Sequence, residues 1–161
     1  MKQLHLVRHA KSSWDLPLDD RKRPLATRGI NDAHLVCKAL EPDWQVPEAI
    51  FVSPSVRTRE TSAIFVNELK MQAVPFFIEN DLYDFSGEYL IRTLEDVDDC
   101  YQNIMIFGHN EAVTYFTNRF SSTYVDNVPT CGYLFFQFDI DCWKDLRKGV
   151  LLRKIFPKEL R

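Results

Sequence analysis

Four short apolar runs, at residues 4–7, 49–52, 75–78 and 103–107, alternate with stretches of helical periodicity. Short apolar runs bounded by turn residues read as buried strands, and the longer amphipathic stretches read as helices. Parallel strands need a crossover long enough to hold a helix, so this order leaves few folds open. It predicts an α/β chain, a three-layer α/β/α sandwich with a mostly parallel central sheet. The first helix is expected to start at Thr27 as N-cap, with Ile30, Ala33, Leu35, Val36, Ala39 and Leu40 inward and Pro42 and Pro47 closing it. A second is expected over residues 57–69, started by Ser53 or Ser55. A third follows Ser86 as cap and carries Tyr89, Leu90, Ile91 and Leu94, and a fourth spans residues 111–120, capped by Asn110. Residues 132–138 and 150–156 read as late strands at a sheet edge. Residues 11–26 are polar, carry Pro17 and Pro24, and form a long loop at the C-terminal end of the first strand. Ordered loops of that length are uncommon and often functional.

The 161 residues suit one domain around one core. A net charge of −3 gives no general basic field, so nucleic acid is not an expected partner. No apolar run reaches the roughly 20 residues that span a bilayer, so no membrane association is expected. Met1 leads directly into the first strand, which leaves no room for a signal peptide. Cys37, Cys100, Cys131 and Cys142 show no Cys-x-x-Cys spacing. We read them as reduced thiols of a cytoplasmic protein, and zinc is not expected. No pattern in the sequence points to an oligomer interface.

Strand ends are where open α/β sheets place their chemistry. The first strand ends on Arg8-His9, and the fourth ends on Phe107-Gly108-His109-Asn110. The second runs into Ser53-Pro54-Ser55-Val56-Arg57. A neutral histidine with one free ring nitrogen is a phosphoryl acceptor, provided the other nitrogen is fixed by a hydrogen bond. Arginine supplies planar, permanently charged donors for phosphate oxygens. Arg57, at the first turn of a helix, adds its charge to backbone amides that already favour an anion. His109, if cationic, would stabilise phosphoryl oxygens as they gain charge. Arg59 points elsewhere on its helix and is read as solvated, and His5 and His34 are read as structural or solvated. A phosphate ester also needs a proton for its leaving oxygen. Asp81, Asp84 and Asp15 are the candidates for that role.

These residues resemble the histidine phosphatase superfamily, and more narrowly the SixA-type phosphohistidine phosphatases. The resemblance rests on Leu6-Val7-Arg8-His9-Ala10-Lys11-Ser12-Ser13-Trp14-Asp15, on Arg23-Pro24-Leu25 with Arg28-Gly29, and on Ser53-Pro54 with Arg57 and Thr61. Gly108-His109-Asn110 and Pro129-Thr130-Cys131-Gly132 complete it. It implies a phosphoglycerate mutase-like fold, with His9 as the nucleophile that becomes a phosphohistidine. Arg8, Arg57 and His109 would surround the phosphoryl group, and water would then release it. It implies no metal and no cofactor, and it brings Ser12 and Asp15 forward as substrate contacts. Three departures stand out: Ala10 where larger relatives often have Gly, Asp15 where mutase-like members tend to have Asn, and no glutamate in the acid position. Asp84 is the nearest match by pattern to that acid.

The missing acid bears on substrate. An imidazole leaving group can take a proton from water at its remote nitrogen, whereas an alkoxide has no such route. General acid help is worth about 100- to 10,000-fold, so its absence costs more with esters. The chain is also too short to carry a lid domain, which leaves the pocket open to a protein. The expected partner is a phosphohistidine-bearing signalling protein with a histidine-containing phosphotransfer domain. The alternatives are a small phosphate ester as substrate, or a phosphoprotein-binding module with no catalysis.

Overall fold

Arg8 and Gly108 are register partners on adjacent parallel strands, so the residues after them leave the sheet side by side. The structure, a computed structural model describing residues 1–161, has six strands in one sheet. These are β1 (Lys2–Arg8), β2 (Ala49–Val52), β3 (Phe76–Ile78), β4 (Asn103–Gly108), β5 (Tyr133–Phe138) and β6 (Val150–Ile155). Their order is β3-β2-β4-β1-β5-β6. The pairings β1–β4, β2–β4 and β2–β3 are parallel, while β1–β5 and β5–β6 are antiparallel. The expected mostly parallel sheet is thus present, extended on one side by an antiparallel pair. Of the two late strands only β6 is at the edge; β5 lies inside, against β1.

The helices are α1 (Thr27–Leu40), α2 (Val56–Glu68), α3 (Glu88–Glu95) and α4 (Ala112–Phe120). Side chains alternate along each strand, so the sheet feeds two cores. Val7, Ile50, Val52, Met105 and Phe107 meet Ala33, Val36, Cys37 and Leu40 of α1 and Phe65 of α2. Leu4, Leu6, Phe51, Ile104 and Ile106 meet Leu90 and Leu94 of α3 and Val113, Phe116 and Phe120 of α4. Each such fully buried Leu, Ile or Phe contributes about 1.5–3 kcal/mol relative to exposure. The three layers hold the C-terminal ends of β1, β4 and β2 at one rim.

Several local expectations change. Ile30 is exposed, because the inward stripe of α1 runs through Ala33, Val36, Cys37 and Leu40 instead. Thr27 is the first helical residue and Ala26 precedes it as N-cap, without a side-chain bond. Ser55, not Ser53, caps α2, accepting from the Thr58 amide at 3.3 Å. Asn110 Oδ1 accepts from the Thr114 amide at 3.3 Å, but the N-cap position of α4 is Glu111. α3 opens at Gly87, whose φ of 101° is a conformation glycine adopts without penalty. The loop over residues 11–26 is ordered by a bridge between Ser12 and Leu25 and by the Ala26 amide on the Lys11 carbonyl at 2.9 Å. All four cysteines are unpaired thiols, and no helix is long and apolar enough to cross a membrane.

Candidate active site

His9 follows directly from β1, and its backbone is tied on both sides. Its amide donates to the Gly108 carbonyl at 3.1 Å, and its carbonyl accepts from the Cys131 amide at 2.9 Å. The next peptide is oriented by α2, since the Ala10 amide donates to Thr61 Oγ1 at 3.0 Å. The Ala10 carbonyl thereby accepts the Nδ1–H of His9 at 2.7 Å. That bond fixes the tautomer with the proton on Nδ1 and the lone pair on Nε2. The sequence alone does not select between the two ring nitrogens; this local bond does.

His109 stands beside it, with ring centroids 5.3 Å apart. Its Nδ1 accepts from Arg57 Nη2 at 3.3 Å, which places the ring proton on Nε2. Nε2–H then donates to Ser53 Oγ at 2.7 Å. Burial, together with the His9 ring and the Arg57 charge, holds the His109 pKa down to about 2. His109 is therefore held neutral in the free protein, so the cationic form that the sequence allows is disfavoured there. Burial also lowers His9, to about 3, prevailing over the opposing bond to Ala10, with smaller help from the charges of Arg57, Arg8 and Arg23. A neutral ring is the form that can attack phosphorus.

Two guanidinium groups complete the set. Arg57 is buried, and Arg8 Nη1 donates to the Val128 carbonyl at 2.7 Å. The Nε atoms of both arginines are buried and carry no partner. Unpaired charged donors at such a site are costly unless an anion satisfies them. The structure thus brings Arg8, His9, Arg57 and His109 together at one rim of the sheet. No three His, Cys, Asp or Glu side chains cluster closely enough to hold a metal ion.

The other candidates fare differently. Asp84 does not serve as proton donor here, because its carboxylate caps α3. It accepts from the amides of Ser86, Gly87, Tyr89 and Leu90 at 2.9–3.1 Å and from the Ser86 hydroxyl at 2.8 Å. Burial pushes its pKa up, but these bonds prevail and keep it ionised, below the usual carboxylate range. Ser86, the expected cap, accepts only from the Glu88 amide at 3.2 Å, while Gly87 holds the N-cap position and Asp84 takes the Tyr89 and Leu90 amides. Asp81 is exposed, and so is Asp15, whose amide rests on Ser13 Oγ. Ser12 is buried and accepts from Arg23 Nη1 at 2.5 Å, so it positions an arginine. His5 is structural, with Nδ1 2.6 Å from the Tyr133 hydroxyl, and His34 lies at the surface 3.1 Å from Glu68. Arg59 is exposed.

Sequence reasoning missed Asp20 and Tyr83, and it gave Arg23 no role beyond its place in the resemblance. Asp20 Oδ2 accepts from Arg57 Nη2 at 2.9 Å and from the Tyr83 hydroxyl, and Asp20 Oδ1 accepts from Arg23. Arg23 is buried beneath Trp14, its guanidinium carbon 3.5 Å from the ring centroid. Asp20 and Arg23 sit in a charged run, Asp19-Asp20-Arg21-Lys22-Arg23, within which nothing in the sequence separates one acid from the next. Only the length of the loop and the resemblance of Arg23-Pro24-Leu25 marked the segment. Aromatic residues rim the site: Tyr83 and Phe85 lie 5.2 and 5.0 Å from the His109 ring centroid. A cleft of about 550 Å³ lined by Asp139, Lys144 and Arg147 holds none of these residues, so chemistry rather than size marks the site.

Comparison with known proteins agrees with this geometry. The family model described as histidine phosphatase superfamily (branch 1) matches residues 4–112. An uncharacterised chloroplastic protein of Arabidopsis thaliana is 30% identical over 159 residues, covering 89% of this chain and 70% of that one. Among solved structures, the protein histidine phosphatase SixA complexed with tungstate superposes with a TM-score of 0.79 at 19% identity, over 99% of each chain. The α-ribazole phosphatase of Shigella flexneri gives 0.63 at 15% identity, over 87% of this chain and 92% of that one. At these identities the structural likeness speaks for the fold, which is phosphoglycerate mutase-like as expected.

Proposed function

This chain belongs to the histidine phosphatase superfamily, branch 1, and as a phosphatase of that family, we propose, it works without a metal through a phosphohistidine formed at His9. The observation that carries this reading is the state of His9. Its Nδ1–H is held by the Ala10 carbonyl, its Nε2 carries the lone pair, and two buried arginine Nε–H donors nearby have no partner. Nε2 attacks phosphorus, and the bond to the leaving group breaks. Arg8 and Arg57 hold the phosphoryl oxygens as charge builds on them. Water then attacks the phosphoenzyme and orthophosphate departs.

We infer that the substrate is phosphohistidine on a protein, such as a histidine-containing phosphotransfer domain. The Asp84 carboxylate is committed to α3 and cannot assist an alkoxide, whereas an imidazole leaves without such help. Exposed Trp14 lies over Arg23 and exposed Phe85 against His109, and the loop of Trp14 also exposes Leu16 and Leu18, apolar surface suited to a protein partner. The SixA protein, described as a protein histidine phosphatase, has the same overall fold. A small phosphate ester is the second reading, favoured by the likeness to the α-ribazole phosphatase. The test is hydrolysis of a phosphohistidine peptide against p-nitrophenyl phosphate, with chelator present, for wild type and His9→Ala. Peptide turnover far above ester turnover, lost in the variant, is expected. Good ester turnover with little on the peptide would move the assignment to a small-molecule phosphatase. Tight peptide binding without turnover would make the protein a binding module.

A further inference from the structure

Asp20 lies on the arginine that a phosphoryl group would need. Arg57 Nη2 binds both Asp20 Oδ2, at 2.9 Å, and His109 Nδ1, at 3.3 Å, so this carboxylate stands one guanidinium away from the histidine pair. Arg57 Nη1 donates to the backbone carbonyl of Asp20 at 2.6 Å. Arg23 reaches Asp20 Oδ1 from its own loop, at 3.2 and 3.4 Å, and Tyr83 donates to Oδ2 from the turn after β3. Arg21 stacks over the Tyr83 ring at 4.3 Å. The folded chain makes no structural use of this carboxylate as a cap. Its side chain is 44% exposed, and every side-chain bond it makes goes to Arg57, Arg23 or Tyr83.

A phosphoryl group arriving at Arg57 competes with the carboxylate for the same donor. Once displaced, the carboxylate cannot go far, because the backbone of residue 20 is held on Arg57 Nη1. It is then a free acceptor beside the phosphoryl site. We propose that Asp20 is the proton acceptor for hydrolysis of the phosphoenzyme, moved into that role by the phosphoryl group itself. This rests on the reading of His9 as nucleophile. In the step, a water oxygen bonds to phosphorus and the P–Nε2 bond breaks, its electron pair returning to the His9 ring. One water proton passes to an Asp20 oxygen. Hydrogen phosphate dianion leaves, and Asp20 releases the proton to solvent as it returns to Arg57.

The electrostatics run in the same direction. In the free pocket burial raises the Asp20 carboxyl, but the bonds from Tyr83 and Arg57, the Arg57 charge and the bond from Arg23 hold it well below the usual carboxylate range. Handing Arg57 to a phosphoryl dianion removes a cationic partner and adds a negative neighbour, so proton affinity rises when it is needed.

The experiment is a rapid-quench time course with p-nitrophenyl phosphate on wild type, His9→Ala, Asp20→Asn and Asp20→Glu. That leaving group needs no acid, so the first step reports on His9 and the second on Asp20. Asp20→Asn is expected to release a burst of nitrophenol, accumulate phosphohistidine at residue 9, and then turn over about 100-fold or more below wild type. Asp20→Glu, which can still take the proton, is expected to recover part of that loss. Steady turnover of Asp20→Asn near wild type without accumulated phosphoenzyme would overturn the proposal. So would loss of the burst itself, which would make Asp20 a counter-ion that positions Arg57. A wild type that never labels His9 would instead bring down the nucleophile assignment on which the proposal stands.

Discussion

The rings of His9 and His109 stand 5.3 Å apart because Arg8 pairs with Gly108 across β1 and β4. The His9 ring disfavours protonation of His109, and the Arg57 charge disfavours protonation of both. Burial, reinforced by these charges, lowers His9 to about 3 and His109 to about 2. His5, buried against Tyr133, is lowered to about 3.

The consequence is a pH dependence of stability with a definite sign. Between about pH 6.5 and the folded values, the unfolded chain binds protons at these rings that the folded chain refuses. The stability associated with their neutrality is complete above about pH 6.5 and is lost as pH falls toward the folded value of about 3 for His9 and His5. The melting temperature is therefore expected to drop on acidification from about pH 7 to about pH 4.5, with proton uptake on unfolding. A melting temperature that stays level or rises over that range would contradict the neutral assignment. Activity measured as kcat/KM should likewise show no His9 ionisation near its ordinary value.

Arg57→Lys tests the shape of the proposed phosphate site rather than its charge. The guanidinium holds Asp20 through two nitrogens and reaches His109 with one of them, a fork that an ammonium cannot reproduce. A loss of about 100- to 1,000-fold in kcat is expected, as for removal of one preorganised donor to a developing anion. Wild-type kcat in the lysine variant would show that charge alone suffices.

Asp84→Ala should injure the fold and not the chemistry. The carboxylate satisfies the Ser86, Gly87, Tyr89 and Leu90 amides at the start of α3. Loss of such a cap costs about 1–2 kcal/mol. Urea unfolding is expected to show that decrease while the folded protein keeps its turnover of p-nitrophenyl phosphate. Full stability combined with lost turnover would return Asp84 to the catalytic set.

The legible and illegible parts of this site differ in how far the chain must fold to assemble them. His9, Arg8 and His109 sit at the ends of apolar strands, and strands of that kind are written in the local sequence. Arg57 sits one residue into a helix that follows another strand, so its place was also local information. Asp84 was misread because an acid before a helix has two uses, proton donor and cap, and both leave the same sequence trace. Asp20 meets Arg57 across a separation of 37 residues, through the path of the loop and not through periodicity. No spacing rule reports such a meeting. The parallel sheet was readable because its crossovers impose alternation, whereas the interior position of β5 depended on a pairing with β1 that no short-range signal records.

The loop that carries Asp20 and Arg23 is held where it is by the absence of a side chain on α1. A Cβ on Gly29 would lie 2.1 Å from the Lys11 carbonyl oxygen and 2.9 Å from the Lys11 nitrogen, both backbone atoms. The same carbonyl accepts the Ala26 amide at 2.9 Å, and the Ser13 amide donates to the Pro24 carbonyl at 2.8 Å. These bonds close the two ends of the loop against each other. Gly29→Ala therefore cannot be absorbed by rotation of a flexible side chain; the backbone near Lys11 must move off the helix. Overpacking of this kind costs about 1–3 kcal/mol. The displacement should also carry Ser12 and Arg23 away from their contact, loosening the hold of Arg23 on Asp20. Reduced stability with a weakened affinity for inorganic phosphate is expected, read by urea unfolding and by phosphate inhibition of p-nitrophenyl phosphate hydrolysis. If Gly29→Ala lowered stability but left phosphate inhibition at its wild-type value, the loop would be independent of the proposed phosphate site.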